Sequence, residues 1–189
     1  MNFGKGEIID CMIEFYMKEA LMVGLLEDYH HEKINSYSAC ESSWEFNTSD
    51  LQRPLSERGI NDAEIMSKVL KNLSIEVDVV FHSIAKRTAQ TCEIFIKNMS
   101  IERSKIFEKK DLYDFSGNKV YEFITRIDNK FNSVMIFSHN NSCTNLLSQL
   151  ANVNTHVPTC GVLIFNFDVS LWSKINLGTC QKFFPKHYR

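Results

Sequence analysis

The sequence has no excess of positive charge: 21 Lys and Arg against 23 Asp and Glu leave a formal charge of -2. A nucleic-acid backbone would meet no basic field here, and no interleaving of aromatic and basic residues offers a base-stacking platform. Nucleic acid is therefore not expected as a partner. The six cysteines, Cys11, Cys40, Cys92, Cys143, Cys160 and Cys180, include no Cys-x-x-Cys pair. That spacing indicates neither a zinc site nor a redox dithiol, and reduced thiols in a cytoplasmic protein are the expectation. Clustered Asp and His ligands are lacking too, so no metal is expected. The most apolar stretch, Ile8 to Leu26, is broken by Asp10, Glu14, Lys18 and Glu19. Charges at a bilayer centre are unfavourable, so this reads as an amphipathic helix and no membrane is expected. No basic leader precedes it, as a signal peptide would require. Repeats and low-complexity linkers are also missing.

What remains is 189 residues, 44% of them apolar, enough to bury the core of one domain with a tail. After Ser42 the periodicity alternates between helix and strand. Residues 56–72 place Ile60, Ala63, Ile65, Met66, Val69 and Leu70 at helical spacing, with Ser56 as a plausible N-cap. The β-branched run Val77 to Phe81 then reads as a buried strand. A helix over 86–98, a short strand at Lys105-Ile106-Phe107 and a helix over 119–127 follow. The run Ser133 to Phe137 is the clearest strand of all. A helix near 142–151 and strands over 161–167 and 179–184 complete the pattern. This order predicts an α/β fold, a three-layer α/β/α sandwich with a mainly parallel central sheet.

Two of these strands run into residues suited to phosphate. Val77 to Phe81 leads to Ser83-Ile84-Ala85-Lys86-Arg87-Thr88, and Val134 to Phe137 leads to Ser138-His139-Asn140. Ligands of open α/β sheets bind beyond the carboxyl ends of the strands, so Arg87 and His139 are expected to face one substrate. Each residue alone has an ordinary structural explanation; together they form a candidate site. A third segment, Arg53-Pro54-Leu55-Ser56-Glu57-Arg58-Gly59, lies just ahead of the first helix. His82, Cys92 and Cys143 are expected to serve packing or the surface, His156 and His187 have no partner motif, and His30-His31 belongs to the tail.

With Ser83-x-x-x-Arg87-Thr88-x-x-Thr91 and Ser138-His139-Asn140, that third segment resembles the histidine phosphatase superfamily, in its phosphoglycerate-mutase-like first branch. Within it, the phosphohistidine phosphatase (SixA-like) subgroup is the best match. The likeness runs from about Ser42 to Pro185 and includes Ser42-Ser43-Trp44, Trp172 and Gly178. In that family a histidine attacks phosphorus, and water then hydrolyses the phosphoenzyme without a cofactor. Such chemistry needs a neutral imidazole in line with the leaving group and cations around the non-bridging oxygens. The resemblance makes Arg87 the phosphate clamp, His139 the second pocket histidine and Arg53 a contact at the rim. Ser83 either contributes a hydroxyl or only terminates its strand. Asp111 sits near where some relatives place a general acid. The implied partner is a protein carrying phosphohistidine, or a small phosphate ester.

Half of the family's active site is missing. Its defining Arg-His pair closes the first strand, directly before Ser-Ser-Trp. Here the corresponding residues are Ser38-Ala39-Cys40-Glu41, so Ser38 replaces the first arginine and Ala39 the nucleophile. Lys33-Ile34-Asn35-Ser36-Tyr37 also reads as a poor central strand, because polar groups would enter a sheet interior. The first strand is therefore expected to be degraded. Codons compatible with His31 to Glu41, read one base later, can spell Met-Lys-Lys-Leu-Ile-Val-Ile-Arg-His-Ala-Lys. Residues 1–41 are accordingly expected to be an atypical segment in a shifted frame, and 42–189 the histidine phosphatase-like domain. The chain as written is expected to be inactive or nearly so. The alternative is a non-catalytic module that binds phosphate or a phosphoprotein through Arg53, Arg87 and His139.

Overall fold

The computed structural model describes residues 32–38, 40 and 49–189, the first segment as backbone. The expected helix over Ile8 to Leu26, His30-His31 and Ser42-Ser43-Trp44 lie outside the described residues. Among those described, six strands form one sheet. They are β1 (Glu32–Ser38), β2 (Val79–Ser83), β3 (Ile106–Lys109), β4 (Ser133–Ser138), β5 (Val162–Phe167) and β6 (Thr179–Phe183). Their spatial order is β3-β2-β4-β1-β5-β6. The first four of that order run parallel, β5 is antiparallel to β1, and β6 is antiparallel to β5. The helices are α1 (Glu57–Asn72), α2 (Lys86–Met99), α3 (Asn118–Ile124) and α4 (Asn140–Ala151). None of the described helices is long and apolar enough to cross a membrane.

Side chains alternate across a strand, and β4, buried throughout, shows how this divides the core. Val134 and Ile136 join Leu112, Val120, Ile124, Leu146, Leu147, Phe165 and Trp172 on the α3 and α4 face. Met135 and Phe137 join Ala63, Met66, Leu70, Phe95, Val162 and Ile164 on the α1 and α2 face. The expected α/β/α layering follows directly. Ser56 caps α1 as its position suggests, its side chain accepting from the Gly59 amide at 3.1 Å. Strand β2 begins two residues later than the β-branched run. The Asp78 carboxylate accepts from the amides of Asn132 and Ser133 at 2.8 and 2.9 Å, fixing this corner outside the ladder.

Two expectations are corrected here. The first strand, expected to be degraded, holds the centre of the sheet as backbone. It is paired with β4 from Lys33↔Ser133 to Ser38↔Ser138 and with β5 from Glu32↔Phe167 to Tyr37↔Val162. Ladder hydrogen bonds use main-chain groups that every non-proline residue carries, so a strand can form where its side-chain pattern is weak. The thiols are the second correction, because Cys40 and Cys160 form a disulfide across 120 residues. The β1–β5 pairing brings the segments that carry these two distant positions together, with their Cα atoms 4.2 Å apart. Cys92 is buried in the α1 and α2 core, and burial pushes its thiol up to about 12, which makes it inert.

The C-terminal segment closes the α3 and α4 face. Trp172 is fully buried, its indole N–H donating to the Phe131 carbonyl at 2.8 Å. Gly178 donates its amide to the Leu150 carbonyl at 2.8 Å. A Cβ at Gly178 would lie 2.4 Å from the Asn166 carbonyl oxygen and 2.7 Å from the Phe167 ring. Backbone cannot yield as a side-chain tip can. Gly178→Ala should lower unfolding free energy by about 1–3 kcal/mol, as overpacking does. Denaturant unfolding checks this, and an unchanged midpoint would contradict the packing described.

Candidate functional site

Strands β2, β4 and β1 are parallel, so their carboxyl ends open on one edge of the sheet. Ser83 ends β2, and Arg87 is the second residue of α2, one turn further on. His139 follows β4 directly and is the N-cap residue of α4, with extended backbone (φ -110°, ψ 148°). The amino ends of α2 and α4 thus meet at the same edge, where helix dipoles favour negative charge. The turn after β2 is held by Thr88, whose hydroxyl lies 2.8 and 2.6 Å from the carbonyls of Ser83 and Ala85. Thr91 bonds the Arg87 carbonyl at 2.8 Å. These two threonines of the motif shape the turn that aims Arg87.

The three elements bring Arg87, His139 and Ser83 together. Arg87 Nη2 lies 3.1 Å from His139 Nδ1, and His139 Nε2 lies 3.2 Å from Ser83 Oγ. A guanidinium can only donate, so Nδ1 must present its lone pair and Nε2 must carry the proton, donated to Ser83. Burial, then the Arg87 charge, lower the His139 pKa to about 3, with Asp114 opposing. The ring is therefore neutral at physiological pH, and both nitrogens are engaged. Ser83 does more than terminate its strand: its hydroxyl lies against the histidine. Tyr113 meets the imidazole edge-on at 5.3 Å between ring centres, and Phe115 lies at 4.6 Å. These two aromatic residues flank the histidine, and Phe115 is exposed to solvent.

Arg53 joins the site through Asp50, a residue that motif reading passed over. Asp50 opens a 3-10 turn (Asp50–Gln52), and its carboxylate bonds Arg53 through one oxygen. The other oxygen accepts from Arg87 Nη2 at 3.0 Å and from the Tyr113 hydroxyl at 2.8 Å. The Asp50 carbonyl accepts from Arg87 Nη1 at 2.6 Å. Burial lowers the pKa of both arginines, and at Arg53 the Arg87 charge adds to it. The Asp-x-x-Arg spacing in Asp50-Leu51-Gln52-Arg53 was the available signal. Gln90 on α2 anchors the segment by accepting from the Leu55 amide at 2.8 Å. Asp111 is exposed on the 3-10 turn Lys110–Leu112, with no hydrogen bond or ion pair to Arg87 or His139 among the described residues. The buried carboxylate nearby is Asp114, which accepts from the amides of Ser116 and Lys119 at 3.0 Å and so caps α3. Cys40 donates its amide to Thr91 Oγ1 at 3.4 Å, linking the end of β1 to the Arg87 turn.

The histidine has a consequence in acid. In an unfolded chain its pKa is near the ordinary 6.5, against about 3 in the fold. Below pH 6.5 the unfolded state therefore binds the proton first, and stability is lost as pH falls toward 3. The His139 contribution to the slope should approach about 1.4 kcal/mol per pH unit in that window. His139→Gln should flatten the profile between pH 6.5 and 4.5. Parallel denaturation profiles for the two proteins would contradict the buried, neutral assignment.

Comparisons with known proteins bear on the family and the fold. Residues 40–132, about half of the chain, match the family model for the Histidine phosphatase superfamily (branch 1). No curated protein matches the chain by sequence. Among solved structures, the protein histidine phosphatase SixA complexed with tungstate is similar at a TM-score of 0.70 and 21% identity, over 83% of this chain and 99% of that one. Phosphoglycerate mutase from Bacillus anthracis str. Sterne aligns at 0.61 and 13% identity, over 85% and 96%. Mycobacterial glucosyl-3-phosphoglycerate phosphatase aligns at 0.58 and 10% identity, over 79% and 97%. At these identities the structural likeness establishes the fold, which SixA and phosphoglycerate mutase share with this chain. The matched segment carries the Arg53 and Arg87 motifs on the scaffold they resemble, and the chain belongs to the histidine phosphatase superfamily, branch 1.

Proposed function

We propose that this pocket binds phosphoryl groups, most favourably phosphohistidine on a protein, and that the chain as it stands does not hydrolyse them. The observation that carries the reading is the convergence of Arg87, Arg53, Tyr113 and neutral His139 at the carboxyl ends of β2 and β4. Two guanidinium groups and a phenol supply donors for non-bridging oxygens, and the planar fork of arginine suits two oxygens at once. Likeness to the protein histidine phosphatase SixA supports phosphohistidine as the substrate class, and a small phosphate ester fits the same donors.

Hydrolysis in this family needs a histidine nucleophile at the end of the first strand. Strand β1 ends at Ser38, level with Ser138, one residue before His139. The residue that follows Ser38 in sequence is Ala39, which has no nucleophile. His139 is poorly placed to substitute, since its lone pair faces Arg87 and its other nitrogen carries a proton. An attacking imidazole needs an available lone pair. The shifted-frame reading of residues 1–41 would supply the same missing pair, so one variant serves both.

The test compares the chain with Ser38→Arg/Ala39→His and with Arg87→Met. The parent should bind tungstate by calorimetry and leave phosphoramidate intact, and Arg87→Met should bind at least about tenfold more weakly, as expected for loss of a charge-assisted pair. The double variant should gain measurable hydrolysis. Failure of the parent to bind tungstate, or hydrolysis by the parent that the double variant does not exceed, would overturn the reading.

A further inference from the structure

We infer that Asp50 is an internal ligand of the anion pocket, a carboxylate that occupies the arginine donors and must be displaced when a phosphoryl group binds. This rests on the phosphoryl-binding reading above. Both carboxylate oxygens are engaged, one by Arg53 and the other by Arg87 at 3.0 Å and Tyr113 at 2.8 Å. The Asp50 carbonyl takes the remaining Arg87 Nη at 2.6 Å. One short turn thus offers three acceptor oxygens to the same donors that a phosphate would use. A carboxylate and a phosphate compete for arginine because both present paired oxygens to its fork.

The turn is placed to leave. The Asp50 side chain is 38% exposed, against 7% for Arg87 and 12% for Arg53, so the acid lies on the solvent side of the cations. None of the residues Asp50, Leu51 and Gln52 is buried, and Ser49 makes no side-chain cap to the turn. Lifting the turn therefore removes no fully buried side chain from the core. Arg87 is fixed independently, since α2 packs through Cys92, Phe95 and Ile96. On the other side, Leu55 is buried and tied to Gln90 at 2.8 Å, which leaves the connection around Arg53-Pro54 to take up the movement.

The charges set the direction of exchange. A phosphoryl group brings up to two negative charges to a site built on two arginines, where Asp50 brings one. In the unliganded chain the carboxylate keeps buried guanidinium groups paired, which they require in a poorly solvated place. The gate would therefore reject weak singly charged anions while yielding to a phosphoryl group. Its closed population lowers apparent affinity by the fraction of molecules that are open.

The experiment is tungstate titration of the full chain, Asp50→Asn and Arg87→Met, with NMR of the labelled parent. Asp50→Asn keeps the shape and removes the competing charge, and it should bind tungstate about tenfold or more tightly than the parent. In the parent, tungstate should shift the Asp50 amide and the Arg87 side-chain resonances together, with equal midpoints. Equal or weaker binding by Asp50→Asn, while Arg87→Met still reduces binding in the parent, would show that Asp50 organises the arginine and would overturn the gate alone. An Asp50 amide that stays unmoved as Arg87 responds would do the same, and needs no variant to fold. Absence of tungstate binding in every protein would overturn the phosphoryl-pocket reading itself.

Discussion

The Arg87 guanidinium is the interaction on which this site depends. It is almost entirely withdrawn from solvent, with a side-chain exposure of 7%, yet it keeps its charge. A buried cation destabilises a fold unless it is paired and hydrogen-bonded. Asp50 pairs it from one side and the His139 lone pair receives it from the other. The state of the histidine then follows from the arginine. A donor against Nδ1 fixes the proton on Nε2, and a nearby positive charge adds to burial in keeping the ring neutral. Ser83, the next group along, is fixed by that proton. The chain Asp50, Arg87, His139, Ser83 is one electrostatic unit spanning the carboxyl ends of two strands.

The rest of the fold serves to hold that unit still. Helix α2 points its amino end at the pocket because β2 ends at Ser83 and the Thr88 hydroxyl closes the intervening turn. Helix α4 begins at His139 because β4 ends at Ser138. Alternation along β4 sends Val134 and Ile136 to one helical layer and Met135 and Phe137 to the other, so both helices are anchored by the same strand. The disulfide between Cys40 and Cys160 and the Cys40 amide bond to Thr91 tie the end of β1 to the same corner. The end of β1 is thus structurally coupled to the turn that carries Arg87.

Much of this was legible in the sequence, for identifiable reasons. Buried strands such as β2 and β4 announce themselves by continuous apolar runs, and Ser56 by its place before a periodic segment. Arg87 and His139 could be placed together because parallel strands bring their carboxyl ends to one edge. Asp50 was not legible, because its role depends on a turn folding back over α2, and a lone acid three residues from an arginine is common. Tyr113 and Phe115 were missed since an aromatic residue flanking a site looks like any core aromatic in sequence. The Cys40–Cys160 pairing depends on the β1–β5 register, which spacing does not reveal. Strand β1 was undervalued for the converse reason: its main chain forms the ladder whatever its side chains suggest.

The proposed function is that of a phosphoryl pocket assembled around Arg87 without a working nucleophile. The most direct test is to expose the full chain to a labelled phosphohistidine peptide for a single turnover, quench, and look for phosphate carried covalently by the protein. Saturable binding of the peptide, displaced by tungstate, with no phosphorylated protein, is the expected result. An acid-labile phosphate appearing on His139 would contradict it, since that would require the very lone pair that Arg87 holds.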